Sequence, residues 1–398
     1  MRILIFSSSY APVIGGLQTV LSDLTQGLRE KHDSILVVTN LYPRQLCIYN
    51  KVDGITVLRL PLLAMYNKIL STSSIRLVAY TFISYFSTLV LFLILLFYSP
   101  HIVNIHFPDH QLRFYARLRK LFRRYCVVTS LHGDDIQRYS STRRYENEDI
   151  VCQFEHLRSL LADSEAVVVC SRYMHDEVLT HFPALKNIAV IANGVREPEV
   201  RNSKPTFTAV IQPPFILSYG RFTGKKGIDM LIKAYAAVAQ QDRGIPPLVI
   251  AGSGPEETLL KTIAAESGVA QLVIFTGPLR RQEIFALLKI CEFAIFPSRI
   301  EPFGVAALEA MSCGKPVLLT DVGGFAELGR DCELICANPS VDGLRDGIRE
   351  MFAQRASWRV MGEHNRFCAA KYSVELFVSR YKSLFMDITS GQVTSSEC

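Results

Sequence analysis

Apolar residues fall along this chain either in short continuous runs or in helical stripes. Residues 3–6 form an apolar run of strand length, followed by a polar, proline-containing loop and then Gly15-Gly16. Leu17, Val20, Leu21, Leu24 and Leu28 come next, three or four apart, which is the spacing of one helix face. Strand runs recur at 35–39, 56–60, 101–107, 126–130, 166–170 and 188–191. Residues 197–214 carry four prolines among mixed polar and apolar positions and read as a linker. The rhythm then restarts, with runs at 215–219, 247–251, 293–296 and 317–319. Late helices are predicted at about 340–352, 355–370 and 373–386, before a polar tail from Gly391. Strands separated by helical stripes, twice over, predict an α/β chain of two doubly wound domains.

Two neighbouring stretches depart from this rhythm. Leu77 to Tyr98 holds 22 residues without a charge, and a bilayer needs ~20. Yet it lies between the runs 56–60 and 101–107, which belong to one sheet, and a span would put them on opposite sides of a membrane. The favoured reading is a helix packed partly on the sheet and partly into a membrane interface. A fully buried core helix and a true span are the other arrangements. Shortly after it, Arg113, Arg117, Lys120 and Arg124 form one basic stripe, with Phe114, Leu118, Leu121 and Tyr125 one residue on. A basic amphipathic helix suits an anionic membrane surface, and a solvated charged face is the alternative.

Composition narrows the class. A chain of 398 residues exceeds one ordinary domain, and two of roughly 200 fit it. A net charge of +6 is too modest to imply bulk nucleic-acid binding. The ten cysteines show no CxxC pair or zinc spacing, which predicts buried thiols in a reducing compartment. The opening MRILIF reads as a first strand, not as a secretory leader.

The chemistry gathers where strand runs end. After the run 293–296 come Glu301, then Phe303-Gly304, then a helical pattern from Val305 with Glu309 in it. Two carboxylates eight residues apart thus flank a glycine at a helix N-terminus. Free N–H donors and a positive dipole there suit an anionic or polyhydroxyl ligand, and carboxylates accept from sugar hydroxyls. A cap and a surface acid are the plain alternative. The loop 220–227 offers Arg221 and Lys226; a guanidinium fork and an ammonium together neutralise a diphosphate. His132 follows the run 126–130, at the strand end where open α/β sheets place their sites, and Asp134 is expected to fix its turn. Asp134-Asp135 is too small a set to read as a metal site. The loop 251–257 has Glu257 where a dinucleotide fingerprint needs its third glycine, so no nicotinamide site is read.

The run E-P-F-G-x-x-x-L-E-A-M-x-C-G-K-P-V at 301–317, with G-R-x-x-x-x-K-G at 220–227, resembles the signature of the retaining glycosyltransferases of family 4. The H-G-x-D turn at His132 and the Gly15-Gly16 pair are similar to further motifs of that family. Lys225 stands where the family often has an acid, and Lys226 is favoured as the inward lysine. The resemblance implies the α/β GT-B fold: two facing Rossmann-like domains, an inter-domain cleft, and a C-terminal helix returning to the N-terminal domain. It divides the chain into an acceptor domain over 1–200, a donor domain over 201–372, and a crossover helix with tail over 373–398; the membrane-associating region read from hydropathy and charge, about 75–125, falls in the acceptor domain. Catalytic roles are implied for His132, Glu301, Arg221 and Lys226. Donor binding is implied for Gly16, Arg221, Lys226, Glu301, Phe303, Gly304, Val305 and Glu309, and acceptor-side placement for Gly15, Gly16 and His132. Glu301 would hold sugar hydroxyls and Glu309 the ribose.

The activity so implied is retaining transfer of a hexose-type sugar from a UDP- or GDP-linked donor to a lipid-linked or other glycan acceptor, in making a cell-surface polysaccharide or glycolipid. No metal and no cofactor are expected. The expected place is the cytoplasm, peripheral on the inner face of the cytoplasmic membrane. A nucleotide-sugar epimerase of the same fold and a catalytically silent, membrane-docked binding protein are the other readings. Retention of Arg221, Lys226, Glu301 and Glu309 speaks against the silent one.

Overall fold

The apolar runs become the strands of two separate sheets. The computed structural model describes residues 1–13, 15–41, 47–60, 74–108, 115, 118, 125–137, 148–196, 211–242, 244–330, 332 and 334–391. They form two compact units, Met1–Ala192 with Phe377–Cys398, and Asn193–Leu376.

The first unit contains, in chain order, β1 (Arg2–Ser7), α1 (Gly16–Glu30), β2 (Ser34–Asn40), β3 (Tyr49–Val52), β4 (Ile55–Leu60), α2 (Ser74–Tyr98), β5 (Ile102–His106) and β6 (Cys126–Leu131). It continues with α3 (Asp134–Gln137), α4 (Glu148–Asp163), β7 (Ala166–Val169), α5 (Arg172–His181) and β8 (Ile188–Val190). The sheet order is β3-β4-β2-β1-β5-β6-β7-β8. Every pairing is parallel except β3 against β4. The parallel strands are apolar on both faces because helices cover both, so Ile3, Leu4, Ile5, Val127 and Val167 are fully buried. The edge strand β3 has no apolar run and half-exposed side chains, so the hydrophobic pattern did not announce it. From β1 the chain winds one way through β2 and β4, and β5 to β8 lie on the other side. The loops after β1 and β5 therefore flank the point where strand order reverses.

Helix α2 joins β4 to β5 in chain order, and both strands lie in this one sheet. Its buried positions Ser87, Leu91 and Leu95 are four apart. Burying each leucine contributes ~1.5–3 kcal/mol. Tyr98 donates its phenol to the Ser34 carbonyl at 2.7 Å and so ties the end of α2 to β2. The opposite side leaves Phe82, Tyr85, Phe86, Leu89, Leu96 and Phe97 exposed. Among the described residues no helix is long and apolar enough to cross a membrane. The basic stripe Arg113, Arg117, Lys120 and Arg124 lies outside the described residues, as do 197–210 of the linker and 392–398 of the tail.

The second unit contains β9 (Ile216–Tyr219), a 3-10 turn (Gly224–Lys226), α6 (Ile228–Ala239), β10 (Leu248–Ala251), α7 (Glu257–Glu266), β11 (Val273–Gly277) and α8 (Arg281–Ile290). Then follow β12 (Ala294–Phe296), α9 (Val305–Ser312), β13 (Val317–Thr320), α10 (Gly323–Arg330), β14 (Ile335–Ala337), α11 (Val341–Ala353) and α12 (Trp358–Ala370). The order β11-β10-β9-β12-β13-β14 puts its reversal between β9 and β12. Phe222, Leu231, Tyr235, Leu248, Ile250, Phe293, Ile295 and Leu318 pack the core on this sheet.

The last helix, α13 (Val374–Thr389), places Tyr381 and Lys382 in the first unit. Lys382 pairs there with the buried Asp33 carboxylate. The thiols depart from the sequence expectation. Cys170, Cys291, Cys313, Cys332 and Cys368 are buried, but Cys47 and Cys336 are exposed. Cys336 is the outward middle residue of the three-residue β14, a strand too short to show an alternating pattern.

Candidate functional site

In the second unit the loops after β9 and β12 carry the chemistry. The 3-10 turn Gly224–Lys226 is clasped to the loop after β12. Arg299 and Ile300 donate backbone N–H to the Lys225 carbonyl at 2.7 and 3.3 Å. Arg299 also reaches the Gly224 carbonyl at 2.8 Å and grips Asp229 through two hydrogen bonds of 2.7 Å. That guanidinium holds the Asp229 carboxyl below its ordinary range. The clasp delivers Lys226 to Glu301, with Nζ to Oε2 at 2.6 Å. Ser298, almost wholly buried, donates its hydroxyl to the same oxygen at 3.2 Å. Of the two adjacent lysines, Lys226 is therefore the one on the carboxylate. Arg221 sits on the same loop, exposed, and its guanidinium has no partner among the described residues.

Glu309 lies one turn into α9 and is buried. Arg281, at the start of α8, donates Nε to Oε1 at 3.1 Å, and the Tyr219 phenol reaches Oε2 at 3.2 Å. The same phenol donates to the Ala306 carbonyl at 2.7 Å. Burial, and then the Glu309 charge, push the Tyr219 phenol far above its ordinary value. Glu301 and Glu309 thus have separate partners and can serve separate parts of a ligand.

Between them, the N–H groups of Phe303, Gly304 and Val305 have no acceptor among the described residues. Gly304 is there for its backbone, at φ 107°, and a Cβ would sit 2.4 Å from the Phe325 ring. Gly324 lets α10 approach closely: its N–H donates to the Glu301 carbonyl at 2.8 Å, and a Cβ would meet Phe303 Cα at 2.5 Å.

In the first unit, Gly15 caps α1 and Gly16 opens it, with nothing within 4 Å of where a Gly16 Cβ would stand. The loop before them is held by Arg59, which is fully buried and donates Nη2 to the Ala11 carbonyl at 2.7 Å. Burial lowers the Arg59 pKa. His132 closes β6. The carboxylate that fixes its turn is Asp135, not Asp134, and it accepts from the backbone N–H of His132 and Gly133 at 2.9 and 2.8 Å. One residue further on, the side chain points inward instead of out, since Asp135 is buried and Asp134 exposed.

His132 is not alone. Its Nε2 lies 3.0 Å from Nδ1 of His106, at the end of β5, and the rings stack at 5.2 Å. His106 Nε2 lies 2.5 Å from Asn104 Oδ1. Burial lowers the His132 pKa to about 4. Burial, then the neighbouring His132, lowers His106 well below its ordinary value. Both rings are neutral at neutral pH.

Sequence reasoning missed Asn104, His106, Ser298, Tyr219, Arg281 and the Arg299–Asp229 clasp. Asn104 and His106 left a signal: two polar residues two apart in an apolar strand point to the same face. Ser298 stands three residues before its partner Glu301, whereas Tyr219, Arg281 and the Arg299–Asp229 clasp sit at element ends and meet partners far along the chain.

Among the described residues no group of His, Cys, Asp and Glu could hold a metal ion. Residues 201–367 match the family model described as glycosyl transferases group 1, and residues 14–197 the one described as glycosyltransferase family 4. An uncharacterized glycosyltransferase of Bacillus subtilis (strain 168) is 34% identical over 170 residues, 43% of this chain and 46% of the relative. The match thus spans about half that relative's length. Among solved structures, sucrose-phosphate synthase from Thermosynechococcus elongatus is similar with a TM-score of 0.78 at 17% identity, covering 98% of this chain and 99% of that one. Anabaena HepE in complex with UDP and glucose is similar with a TM-score of 0.71 at 17% identity, covering 97% of this chain and 100% of that one. These two likenesses establish the fold, the two-domain GT-B fold.

Proposed function

The chain belongs to the group 1 glycosyltransferases of family 4, and from that premise we propose that it moves a hexose-type sugar, with retention, from a UDP- or GDP-linked donor to a lipid-linked glycan acceptor. The product would be a cell-surface polysaccharide or glycolipid, made by an enzyme lying on the inner face of the cytoplasmic membrane. The observation that carries the transfer reading is the cluster at the reversal between β9 and β12: Arg221 without a partner among the described residues, and Lys226 on Glu301 at 2.6 Å. The membrane part rests on the exposed apolar side of α2.

The chemistry follows from where charge develops. Breaking the anomeric C–O bond puts negative charge on the diphosphate and positive charge on the sugar ring. Arg221 and Lys226 stabilise the first without rearranging as it grows. Glu301, which holds Lys226 and the Ser298 hydroxyl before the donor binds, is assigned to sugar hydroxyls and not to attack on the anomeric carbon. The acceptor hydroxyl then attacks from the face the diphosphate leaves. Its proton passes to a departing phosphate oxygen, and one C–O bond replaces another with the same configuration.

A donor panel tests this, with UDP-glucose first because HepE was solved with UDP and glucose. Nucleotide diphosphate release that depends on added membrane extract is expected. An isomerised nucleotide sugar formed without extract would favour the epimerase. Nucleotide binding without any turnover would favour the silent binding protein.

A further inference from the structure

The polar groups of β5 form a chain that ends on His132, and its direction can be read. Asn104 is fully buried and donates Nδ2 to the Val128 carbonyl at 3.1 Å and to Ser130 Oγ at 3.0 Å. A carbonyl only accepts, so the amide nitrogen must face Val128 and Oδ1 must face His106. Oδ1 also only accepts, so His106 Nε2 carries the proton across their 2.5 Å contact. His106 is fully buried and neutral, which leaves Nδ1 bare. Across 3.0 Å that nitrogen accepts from His132 Nε2. His132, being neutral as well, is left with a bare Nδ1, and no partner meets that atom among the described residues.

We propose that Asn104 and His106 are positioning residues that hold His132 in the Nε2–H tautomer and so offer its Nδ1 lone pair to a hydroxyl of the transferred sugar. This deepens the transferase reading and rests on it for the ligand, though not for the tautomer. Among the described residues no carboxylate is hydrogen-bonded to either ring. Tyr381 stacks on His106 at 6.2 Å and donates its phenol to Ser130 Oγ at 3.0 Å. Asp135 spends both oxygens on backbone N–H groups of the turn. His132 is therefore a fixed acceptor and not a proton donor. A sugar position lacking a hydroxyl would leave the Nδ1 lone pair without a donor, so the relay acts on sugar choice.

The first test needs no substrate. In the ligand-free full chain labelled with 15N-histidine, His132 and His106 should both show protonated Nε2 and bare Nδ1, without titrating between about pH 5 and 8. The nine histidines are resolved by loss of signal in His132→Gln and His106→Gln. A His132 proton on Nδ1, or titration near the ordinary value of about 6.5, overturns the proposal. The second test separates relay from packing. His106→Gln can still donate to Asn104 and accept from His132, whereas His106→Phe keeps the ring but neither bond. With UDP-glucose, kcat/KM should stay within about threefold for Gln and fall about tenfold or more for Phe. Phe performing as well as Gln overturns the relay. If wild type does not turn over UDP-glucose, that donor assignment falls while the spectra still decide the tautomer.

Discussion

Lys226 Nζ lies 2.6 Å from Glu301 Oε2, so the cation assigned to the donor's diphosphate and the anion assigned to its sugar neutralise each other. A donor that binds here exchanges this pair for two charge-assisted contacts, diphosphate on Lys226 and sugar hydroxyl on Glu301. The two residues are coupled in the resting fold, which distinguishes Lys226 from Arg221, and on the proposed function they should be coupled in catalysis as well.

Arg221→Ala and Lys226→Ala should each lower kcat/KM by ~10²-fold or more, as loss of one transition-state donor does. Their effects on stability should differ. Arg221 is exposed with no side-chain partner among the described residues, so its removal should leave the melting temperature unchanged. Lys226→Ala strands the buried Glu301 carboxylate with Ser298 alone of these two partners, and should lower it by a few degrees. Thermal melts with initial rates read both; turnover near wild type in the two variants sinks the donor-site assignment.

The two acids should separate nucleotide from sugar. Glu309→Gln disturbs the carboxylate held by Arg281 and Tyr219, and should weaken UDP binding about tenfold. Glu301→Gln should leave UDP affinity within about twofold and still depress transfer. Calorimetry with UDP alone is the measurement. Equal losses in the two variants would show that the acids do not divide the donor as proposed.

Two glycines of the candidate set should behave in opposite ways. Gly16 has open space where a Cβ would go, so Gly16→Ala should fold with stability changed by about 0.5 kcal/mol or less. Its kcat/KM should nevertheless drop about tenfold, because the methyl enters the room a donor phosphate needs. Gly304→Ala meets the Phe325 ring at 2.4 Å and needs φ 107°, and should cost roughly 2 kcal/mol or more in urea denaturation. A Gly16→Ala enzyme as active as wild type would remove Gly16 from the donor site.

What the sequence made legible follows from range. Strand runs such as 3–6 and 317–319, and the helix begun at Val305, depend on neighbours a few residues away, and they appear where the pattern puts them. Most of the expected site residues stand at strand ends or helix starts, which a pattern marks well, and Glu309 lies one turn into α9. Tyr219 and Arg281 were invisible because nothing nearby in sequence shows which side chain will meet Glu309. The pairing Arg281–Glu309 spans 28 residues and Tyr219–Glu309 spans 90. The Asp134 expectation failed by a single residue, since the H-G-x-D spacing itself falls on Asp135, the carboxylate that holds the turn.

The buried histidines predict a specific acid sensitivity. Both folded-state pKa values lie below the ordinary value, His132 at about 4. The unfolded chain therefore takes up protons that the folded one refuses. Stability is whole above about pH 6.5 and falls as the pH drops towards about 4, by up to ~1.4 kcal/mol per pH unit for His106 and less for the half-buried His132. Urea midpoints at pH 7 and pH 5 should differ clearly in the wild type and less in His106→Gln. Identical midpoints at the two pH values in the wild type would mean these rings charge freely in the fold.

Membrane attachment should depend on two separable parts, the exposed side of α2 and the basic residues that follow it in sequence. The exposed side of α2 presents Phe86, Leu89 and Phe97, the last 81% exposed, while Leu91 and Leu95 on the other side are buried. Placing those three in a lipid interface gains ~1 kcal/mol each even if only partly buried. Phe86→Ser with Leu89→Ser and Phe97→Ser should therefore cut partition into neutral liposomes by about 100-fold without unfolding the chain. The stripe Arg113, Arg117, Lys120 and Arg124 adds an electrostatic part, ~1 kcal/mol per charge near an anionic surface. Reversing these four to Glu should release protein from anionic liposomes at low salt and change little at high salt, where screening has already removed that part. The apolar triple should show the opposite salt behaviour, with its defect persisting at both ionic strengths. Transfer to a short water-soluble acceptor should survive in both variants. A wild-type protein that sediments with neither kind of liposome would contradict the peripheral placement, and a serine triple that binds neutral liposomes like wild type would take α2 out of it.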